Sequence, residues 1–502
     1  IQTVIFRKSA CGLANRFDKN LHALEDWLFW MRMLTGKRIA VLGEITSAFH
    51  VPIDRDAQKA RLSAHIDAEP YFHIQRQAFF EERRLTDMWP VNDDAAYRME
   101  KAIARARLEP LPAQEIARRG NNEETSRLRQ ALSGDTAPPL LIRNVNRTVA
   151  YTSINLRYLP KALAWAQSVK RHNPDWETHV LLNDAIPDGA QAWPNVDVVY
   201  PICQLGVPQF HGWVFGLGVV ELCTATKPFY AKKLLDAGYE FVFYFDPDTY
   251  VYNNLQLLID ELADDDVLVT PHCTQEAGCD AEIHYNEMSS LAHGVFNLGF
   301  VGFKQSEVSH AVVDFWKRRM LRHCVDDHAR GLFTDQKWFN LVPVFFDRVK
   351  VSKNKGFNTA SWNIASRPIT RTNGEWKAGG EPLVFFHFSG YDRNVPRAMF
   401  DVFGQFNADL AELIKDYDNV NENLARQHPE SKFDSAFAFY DNGEPVTGQH
   451  RELYRTKFEL QIAYPAPFET SGTRSYYGYL GVLGSDGLAQ QTNPPGMLRR
   501  FF

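Results

Sequence analysis

From residue 148 onward, apolar and polar positions alternate in blocks whose order is typical of α/β proteins. Residues 158–170 and 228–237 carry apolar side chains at helical spacing and predict helices. Strands that alternate with helices favour a mostly parallel sheet covered by helices on both faces. The strands are predicted from short runs of β-branched and aromatic residues at 148–154, 178–182, 196–200, 241–245, 267–269, 296–303 and 383–388.

The rest of the chain has different patterns, which suggest four parts. Residues 1–88 combine short apolar runs with amphipathic segments and predict a partial α/β domain. Residues 89–147 hold one helical pattern that is then interrupted by prolines and a glycine, as expected of a helical linker. The α/β domain is predicted over 148–403. The irregular, polar pattern of 404–502 predicts a C-terminal appendage.

Composition excludes some classes of protein. A chain of 502 residues that is 45% hydrophobic and 23% charged is globular and has room for several domains. The net charge of -6 predicts no general affinity for nucleic acid. No apolar stretch is long enough to span a membrane and no signal peptide is recognised. Because the chain begins at Ile1 rather than Met, it can be a fragment, and the missing signal decides nothing.

The most informative polar residues are Asp246 and Asp248, which flank Pro247 directly after the apolar run 241–245. Ligands of open α/β sheets bind beyond the carboxyl ends of the strands. Two carboxylates one residue apart at such a position can share one hard divalent cation, and oxygen ligands suit Mg²⁺ or Mn²⁺. The alternative is a turn with solvated carboxylates, which is common at strand ends.

Three further residues are candidates for the same site. His387 ends another apolar run and is either a core histidine or a third, softer ligand that favours Mn²⁺ over Mg²⁺. Asn297 lies in the predicted strand 296–303, whose glycines allow close approach of a ligand or backbone, or else mark a bulge. Asp335 stands at a predicted helix start, where capping alone explains a carboxylate.

In chain order, these residues resemble those of a GT-A glycosyltransferase of the retaining, family-8-like kind. The resemblance covers residues 148–400, and one departure is that Ser389-Gly390 follows His387 in place of the family's glycine- and lysine-containing close. The matching segments are Tyr151-Thr152-Ser153-Ile154-Asn155, Glu221 with Lys227-Pro228, Asp246-Pro247-Asp248, Asn297-Leu298-Gly299, Asp335-Gln336 and His387-x-Ser389-Gly390.

The resemblance implies a GT-A, Rossmann-like fold and transfer of a sugar from a nucleotide-diphosphate sugar, most often a UDP-sugar. It implies a glycan or lipid-linked acceptor, a role in surface polysaccharide or glycan synthesis, and work in the cytoplasm, often beside the inner face of the membrane as a peripheral protein. The implied roles are nucleoside binding for Thr152 and Asn155, phosphate or sugar contact for Lys227, Mn²⁺ or Mg²⁺ binding for Asp246, Asp248 and His387, and catalysis beside the donor sugar or acceptor hydroxyl for Asn297 and Asp335.

The N-terminal block contains the segments Phe6-Arg7-Lys8-Ser9, Phe17-Asp18, Leu24-Glu25-Asp26-Trp27-Leu28-Phe29-Trp30-Met31-Arg32 and Thr46-Ser47-Ala48-Phe49-His50. These segments resemble the acceptor-side end of a family 2 glycosyltransferase. In that family the acidic pair before Trp supplies the catalytic base, a role that maps to Asp26. Because the nucleotide-binding half of that family is missing, this block is expected to be inactive alone. The alternative is that Glu25 and Asp26 cap a helix.

Two other functions are compatible with parts of the sequence. Phe245-Asp246-Pro247-Asp248-Thr249 also matches the nucleophile motif of haloacid-dehalogenase-like phosphohydrolases, although that class usually carries it on the first strand of its domain. A degenerate transferase domain could instead serve as a non-catalytic carbohydrate-binding scaffold. The retention of Asp246, Asp248 and His387 together argues against such decay.

Overall fold

The computed structural model describes residues 123–133, 147–390, 406–471 and 475–481. The chain divides into two units, Ile1–Glu109 and Pro110–Phe502, and all described residues belong to the second. The predicted N-terminal block, with Asp26, lies outside the described residues, as does most of the predicted linker.

A seven-stranded sheet forms the centre of the described residues, with the strand order β10-β6-β7-β4-β1-β2-β3. Neighbouring strands are parallel except at β7, which is antiparallel to both β4 and β6. The predicted α/β class with a mostly parallel sheet is therefore confirmed. The strands are β1 Thr148–Ile154, β2 Glu177–Leu182, β3 Val198–Pro201, β4 Phe241–Phe245, β6 Val267–Pro271, β7 Phe296–Lys304 and β10 Val349–Val351.

Helices cover both faces of this sheet, as its sequence pattern requires. Every residue of β4 is buried, with Tyr244 in one apolar cluster and Phe243 in another. The helices are α1 Glu123–Leu132, α2 Leu159–His172, α3 Phe210–Phe215, α4 Val219–Ala225, α5 Lys227–Asp236, α6 Gln256–Glu261, α7 Asp280–Glu282, α8 Met288–His293, α9 Glu307–Met320, α10 Gln336–Phe339, α11 Val342–Phe345, α12 Ala408–Gln427, α13 Gly448–Thr456 and α14 Phe458–Ala463.

Three small sheets complete the described strands. The one that matters for the site has the order β11-β15-β5, and it brings two distant parts of the chain to the end of β4. In it His387 pairs with Thr249 on one side and with Ala360 on the other. The strands of the small sheets are β5 Thr249–Val251, β8 Asp326–Asp327, β9 Leu332–Phe333, β11 Thr359–Ala360, β12 Ile369–Thr372, β13 Glu375–Ala378, β14 Glu381–Pro382 and β15 Phe385–His387.

The expectation of an irregular C-terminal segment is wrong for its described part. Helix α12 is 20 residues long, and Leu410, Leu413 and Tyr417 are buried along one face. The ring of Tyr417 stacks on Phe388 with a centroid distance of 3.7 Å, one residue after β15. The segment therefore belongs to the core around the site. Within the described residues, no helix is both long enough and apolar enough to cross a membrane.

Candidate active site

Asp246, Asp248 and His387 form a cluster at the carboxyl end of β4. One potential ligand atom from each residue lies within 4.8 Å of the other two. Nε2 of His387 lies 3.1 Å from Oδ1 of Asp248 and 3.8 Å from Oδ2 of Asp246. Asp248 and His387 are buried, whereas the side chain of Asp246 is 29% exposed. The cluster thus has one side open to solvent, through which a ligand can enter.

The backbone holds the two carboxylates in a tight turn between β4 and β5. The amide of Asp246 donates to the carbonyl of Gly299 at 2.7 Å, and both the amide and the hydroxyl of Thr249 donate to the carbonyl of Asp246. The carbonyl of Asp248 accepts from the amide of Phe388 at 2.8 Å, directly after His387. These backbone contacts hold the three residues next to one another at the end of β4.

The donor set fits a divalent cation. Burial opposes the charge of Asp248, but the neighbouring His387 outweighs it, so the pKa of this carboxyl lies below its ordinary 3.8. Asp248 is therefore an anion at neutral pH. Two carboxylates and one imidazole nitrogen are ligands that suit Mn²⁺, with Mg²⁺ favoured more by the oxygens alone.

Lys227 lies on the other side of Asp246, at the start of α5. Its Nζ is 3.3 Å from Oδ1 of Asp246 and 3.6 Å from Oδ2 of Asp335, and it donates to the carbonyl of Leu298 at 3.1 Å. The ammonium also lies 4.4 Å from the ring centroid of Tyr244. Burial opposes its charge, but the two carboxylates outweigh burial and keep the pKa of Lys227 above its ordinary 10.5. A permanent buried cation therefore stands beside the cluster.

Asp335 is buried immediately before α10, and its environment differs from that of Asp246. Burial raises the pKa of Asp335 to about 6, against the attraction of Lys227. Its Oδ2 atom has no hydrogen-bond partner in the described part of the chain. No side-chain cap bond to α10 is formed, so simple helix capping does not account for this carboxylate.

Asn297 and Gly299 stand on β7 beside His387. Oδ1 of Asn297 accepts from the amide of Gly299 at 3.0 Å and from Nδ2 of Asn358 at 3.0 Å. A Cβ atom added to Gly299 would lie 2.2 Å from Cε1 of His387, so glycine is needed for the imidazole to reach its place. The sequence predicted close approach of a ligand or another backbone, or else a bulge. The structure has a side chain, the His387 ring, against Gly299, and the register between β6 and β7 also shifts between Val269 and Pro271.

Thr152 and Asn155 are buried near the end of β1, which pairs with β4 through Tyr151 and Tyr244. The Oγ1 atom of Thr152 has no hydrogen-bond partner among the described residues. No hydrogen bond in the described ranges joins either side chain to Asp246, Asp248 or His387. The fold thus assembles Asp246, Asp248, His387, Lys227, Asp335 and Asn297 around one point and puts the two β1 residues on a neighbouring strand.

Two residues at the site were not predicted from the sequence. Tyr244 lies within the apolar run of β4, yet its hydroxyl donates to Oδ1 of Asp246 at 2.5 Å. Asn358 precedes β11 and its Oδ1 lies 3.1 Å from Nδ1 of His387. Strand alternation puts Tyr244 two residues before Asp246 on the same face, which is the one clue the sequence contained. For Asn358, far from both partners in sequence, no local pattern existed.

Comparison with known proteins gives limited information. No known family model matches the chain. It is similar to two uncharacterized proteins of Bacillus subtilis (strain 168), YfnF and YfnD. The similarity to YfnF is 27% identity over 179 residues, which are 34% of this chain and 57% of YfnF. For YfnD it is 34% identity over 100 residues, which are 20% of this chain and 32% of YfnD. The chain thus spans a little over half of the first relative.

Several solved structures similar to the chain are glycosyltransferases. The bifunctional glycosyltransferase WbbM matches with 18% identity and a TM-score of 0.31 over 45% of this chain and 41% of that one. The galactosyltransferase LgtC, solved with donor and acceptor sugar analogs, matches with 16% identity and a TM-score of 0.31, over 52% of this chain and 96% of LgtC. GlyE of Streptococcus pneumoniae TIGR4 matches with 14% identity and a TM-score of 0.32, over 59% of this chain and 67% of GlyE. Such TM-scores are low, and the function must be inferred from the site.

Proposed function

We propose that this chain is a metal-dependent glycosyltransferase of the GT-A type that moves a sugar from a nucleotide-diphosphate sugar to an acceptor hydroxyl. The observation that carries the proposal is the convergence of Asp246, Asp248 and His387 within 4.8 Å at the carboxyl end of β4. Beyond strand ends of this kind, α/β sheets bind nucleotides. The set fits Mn²⁺ better than a purely carboxylate site would.

Sugar transfer requires cleavage of the bond between the anomeric carbon and the diphosphate oxygen, which leaves extra negative charge on the diphosphate. A cation bound by the three ligands supplies charge neutralisation for this leaving group. Lys227 holds Asp246 in place through its ammonium and adds fixed positive charge to the same region. In this proposal Thr152 and Asn155, at the end of β1, hold the nucleoside.

Asp335 and Asn297 are assigned to the sugar side of the site. Asp335 has a pKa of about 6, so above that pH its buried carboxylate can accept a hydrogen bond or a proton from a hydroxyl. Asn297 fixes the amide network between β7 and His387. Retention of the anomeric configuration is part of the proposal because the family-8-like motifs imply it.

The partners follow from the same chemistry. We expect a UDP-sugar as the donor and a glycan or lipid-linked sugar as the acceptor, in surface polysaccharide or glycan synthesis. The protein would act in the cytoplasm, and for a lipid-linked acceptor it would work as a peripheral protein at the inner face of the membrane. The domain bounds of 148–403 and 404–502, and a second, inactive transferase remnant with Asp26, remain predictions.

The two alternatives explain less of the site. A phosphohydrolase with Asp246 as its nucleophile does not require His387 at 3.1 Å from Asp248, nor Tyr244 and Lys227 on the same Oδ1 atom of Asp246. A non-catalytic carbohydrate-binding scaffold requires neither the ion ligands nor a buried lysine. Trapping of a phosphoaspartate at Asp246 would favour the first alternative, and glycan binding without nucleotide binding would favour the second.

The experiment that tests the proposal is a screen of sugar nucleotides with the full chain in the presence of Mn²⁺. A cognate donor should raise the unfolding temperature, because a ligand that binds only the native state stabilises it by mass action. The same donor should then be consumed in the presence of acceptor glycans. Asp248→Asn should lose both effects. Full sugar transfer by that variant would contradict the metal assignment.

A further inference from the structure

We propose that Asn358 is a positioning residue that selects one tautomer of His387, with the proton on Nδ1 and the free lone pair of Nε2 directed at Asp246 and Asp248. This inference rests on the proposed metal site for its purpose. The hydrogen bonds that carry it, however, belong to the protein alone. They form a chain of amide groups that starts from a backbone N–H, whose direction is unambiguous.

The first link is Asn297. The backbone amide of Gly299 can only donate, and it lies 3.0 Å from Oδ1 of Asn297. The nitrogen of the Asn297 side-chain amide faces an acceptor, since its Nδ2 lies 3.4 Å from Oε1 of Gln336. That Gln336 atom in turn accepts from the backbone amide of Leu298 at 3.2 Å. Two backbone donors therefore fix the orientation of Asn297.

The second link is Asn358. Since Oδ1 of Asn297 is an acceptor, the Asn358 atom 3.0 Å from it must be the donor Nδ2. The other hydrogen of this NH₂ group is used by Oγ1 of Thr270 at 2.9 Å. The remaining end, Oδ1 of Asn358, lies 3.1 Å from Nδ1 of His387. A carbonyl oxygen can only accept, so Nδ1 must carry the proton.

The consequence appears on the other side of the ring. In neutral His387, Nε2 then has a lone pair, and it lies 3.1 Å from Oδ1 of Asp248, another acceptor. Two acceptors at this distance repel each other unless a proton or a metal cation lies between them. A histidine ligand usually donates its other N–H to an oxygen that sets its tautomer, and loss of such a partner typically weakens metal binding about 10- to 100-fold.

The backbone also supports this role for an asparagine. Asn358 has φ of 50°, in the left-handed region, which asparagine tolerates better than most residues. It directly precedes β11, which pairs with β15, so its side chain is held beside His387 by the small sheet. Asn358→Gly removes the amide without backbone strain, because glycine adopts this φ readily.

The test measures the tautomer of His387 in the metal-free full chain by NMR of ¹⁵N-histidine, at a pH at which the ring is neutral, with His387→Gln to assign the signals. Calorimetry with Mn²⁺ alone measures metal affinity. The variants are Asn358→Gly and Asn358→Asp. The matched control is Asn373→Gly, because Asn373 has a similar φ of 53° but lies exposed in the turn between β12 and β13.

We expect the Nδ1–H tautomer in the wild type and in Asn373→Gly. In Asn358→Gly both tautomers should appear, because water can donate to the ring or accept from it, and Mn²⁺ affinity should fall about 10- to 100-fold. In Asn358→Asp the oxygen beside Nδ1 of His387 still accepts, so the Nδ1–H tautomer should return. The second carboxylate oxygen replaces the donor Nδ2 opposite Oδ1 of Asn297, so this variant should also be less stable than the wild type. An Nε2–H wild type, or an unchanged tautomer in folded Asn358→Gly, would overturn the inference. An Nδ1–H wild type that binds no Mn²⁺ would support this assignment of Asn358 and refute the proposed metal site.

Discussion

Replacing Gly299 by alanine should displace His387 and abolish most of the Mn²⁺ binding while the fold persists. The new Cβ atom would lie 2.2 Å from Cε1 and 2.7 Å from Nδ1 of His387. Ordinary contact begins at 3.4 Å, so the ring would have to move by about 1.2 Å. Gly299 does not have a positive φ, and the effect of alanine is therefore steric alone.

The size of the effect can be worked out in two steps. Overpacking of this kind costs about 1–3 kcal/mol of stability. Metal–ligand distances tolerate only about 0.2 Å, so a ring that moves farther no longer supplies Nε2. If affinity falls about 100-fold, Mn²⁺ at a concentration of about 100 times the wild-type Kd, which stabilises the wild type by about 2.7 kcal/mol, would stabilise the variant by only about 0.4 kcal/mol.

The assay is urea unfolding with and without Mn²⁺, and β7 provides a matched control. A Cβ on Gly302 would lie 2.7 Å from Cε1 of Phe243, in the core and not at the site. Gly302→Ala should thus lose comparable stability but keep the full Mn²⁺ effect. Gly448→Ala, where a Cβ meets nothing within 4 Å, should change neither. Equal stabilisation of Gly299→Ala and Gly302→Ala by Mn²⁺ would refute the role assigned to Gly299.

Two further predictions concern buried charges. Burial raises the pKa of the Asp335 carboxyl from 3.8 to about 6. The folded state therefore binds the carboxyl proton more tightly than the unfolded chain does. As the pH rises from 3.8 to 6, the free energy of unfolding should fall by at most about 3 kcal/mol. Asp335→Asn should flatten that part of the pH profile of urea unfolding, and an unchanged profile would argue against the raised pKa. Buried Arg451 donates to the carbonyls of Phe215 and Leu217, each at 2.9 Å. Arg451→Met should therefore lower the free energy of unfolding by about 1–3 kcal/mol. The control Arg426→Met, at an exposed position, should lower it by about 0.5 kcal/mol or less in the same assay. Equal losses in the two arginine variants would contradict this.

The parts of the fold that follow from short-range patterns were predictable. Apolar runs identify β4 and β7 to within one residue at either end, and the carboxylates after β4 stand where a strand ends. The run before His387 likewise marks a strand, although β15 is shorter than predicted because only Phe385–His387 pairs with its neighbours.

Helix α12 was not predicted from the sequence, for a physical reason. In α12 the buried stripe that includes Leu410, Leu413 and Tyr417 is interleaved with acidic residues such as Glu412 and Asp416, and those charges dominate the composition. An amphipathic helix is recognised by spacing and not by mean polarity. Its contact with Phe388 could not be predicted, because tertiary pairing leaves no local pattern.

Most residues of the candidate site could be proposed from the sequence, but their geometry could not. Asp246, Asp248 and His387 could be proposed as ligands. The position of Lys227 between Asp246 and Asp335 could not, because it depends on how α5, β4 and α10 pack. Asn358 could not be predicted as a site residue because its partners, the amide of Asn297 and the imidazole of His387, are 61 and 29 residues away.

The most direct test of the proposed function is calorimetry of UDP binding to the full chain with and without Mn²⁺, repeated with Asp248→Asn. If Asp246, Asp248 and His387 hold the cation that receives the diphosphate, the wild type should bind UDP tightly only with Mn²⁺, and the variant should bind it weakly in both conditions. Equal UDP affinity with and without Mn²⁺, or an Asp248→Asn variant that retains the Mn²⁺ effect, would contradict the proposal.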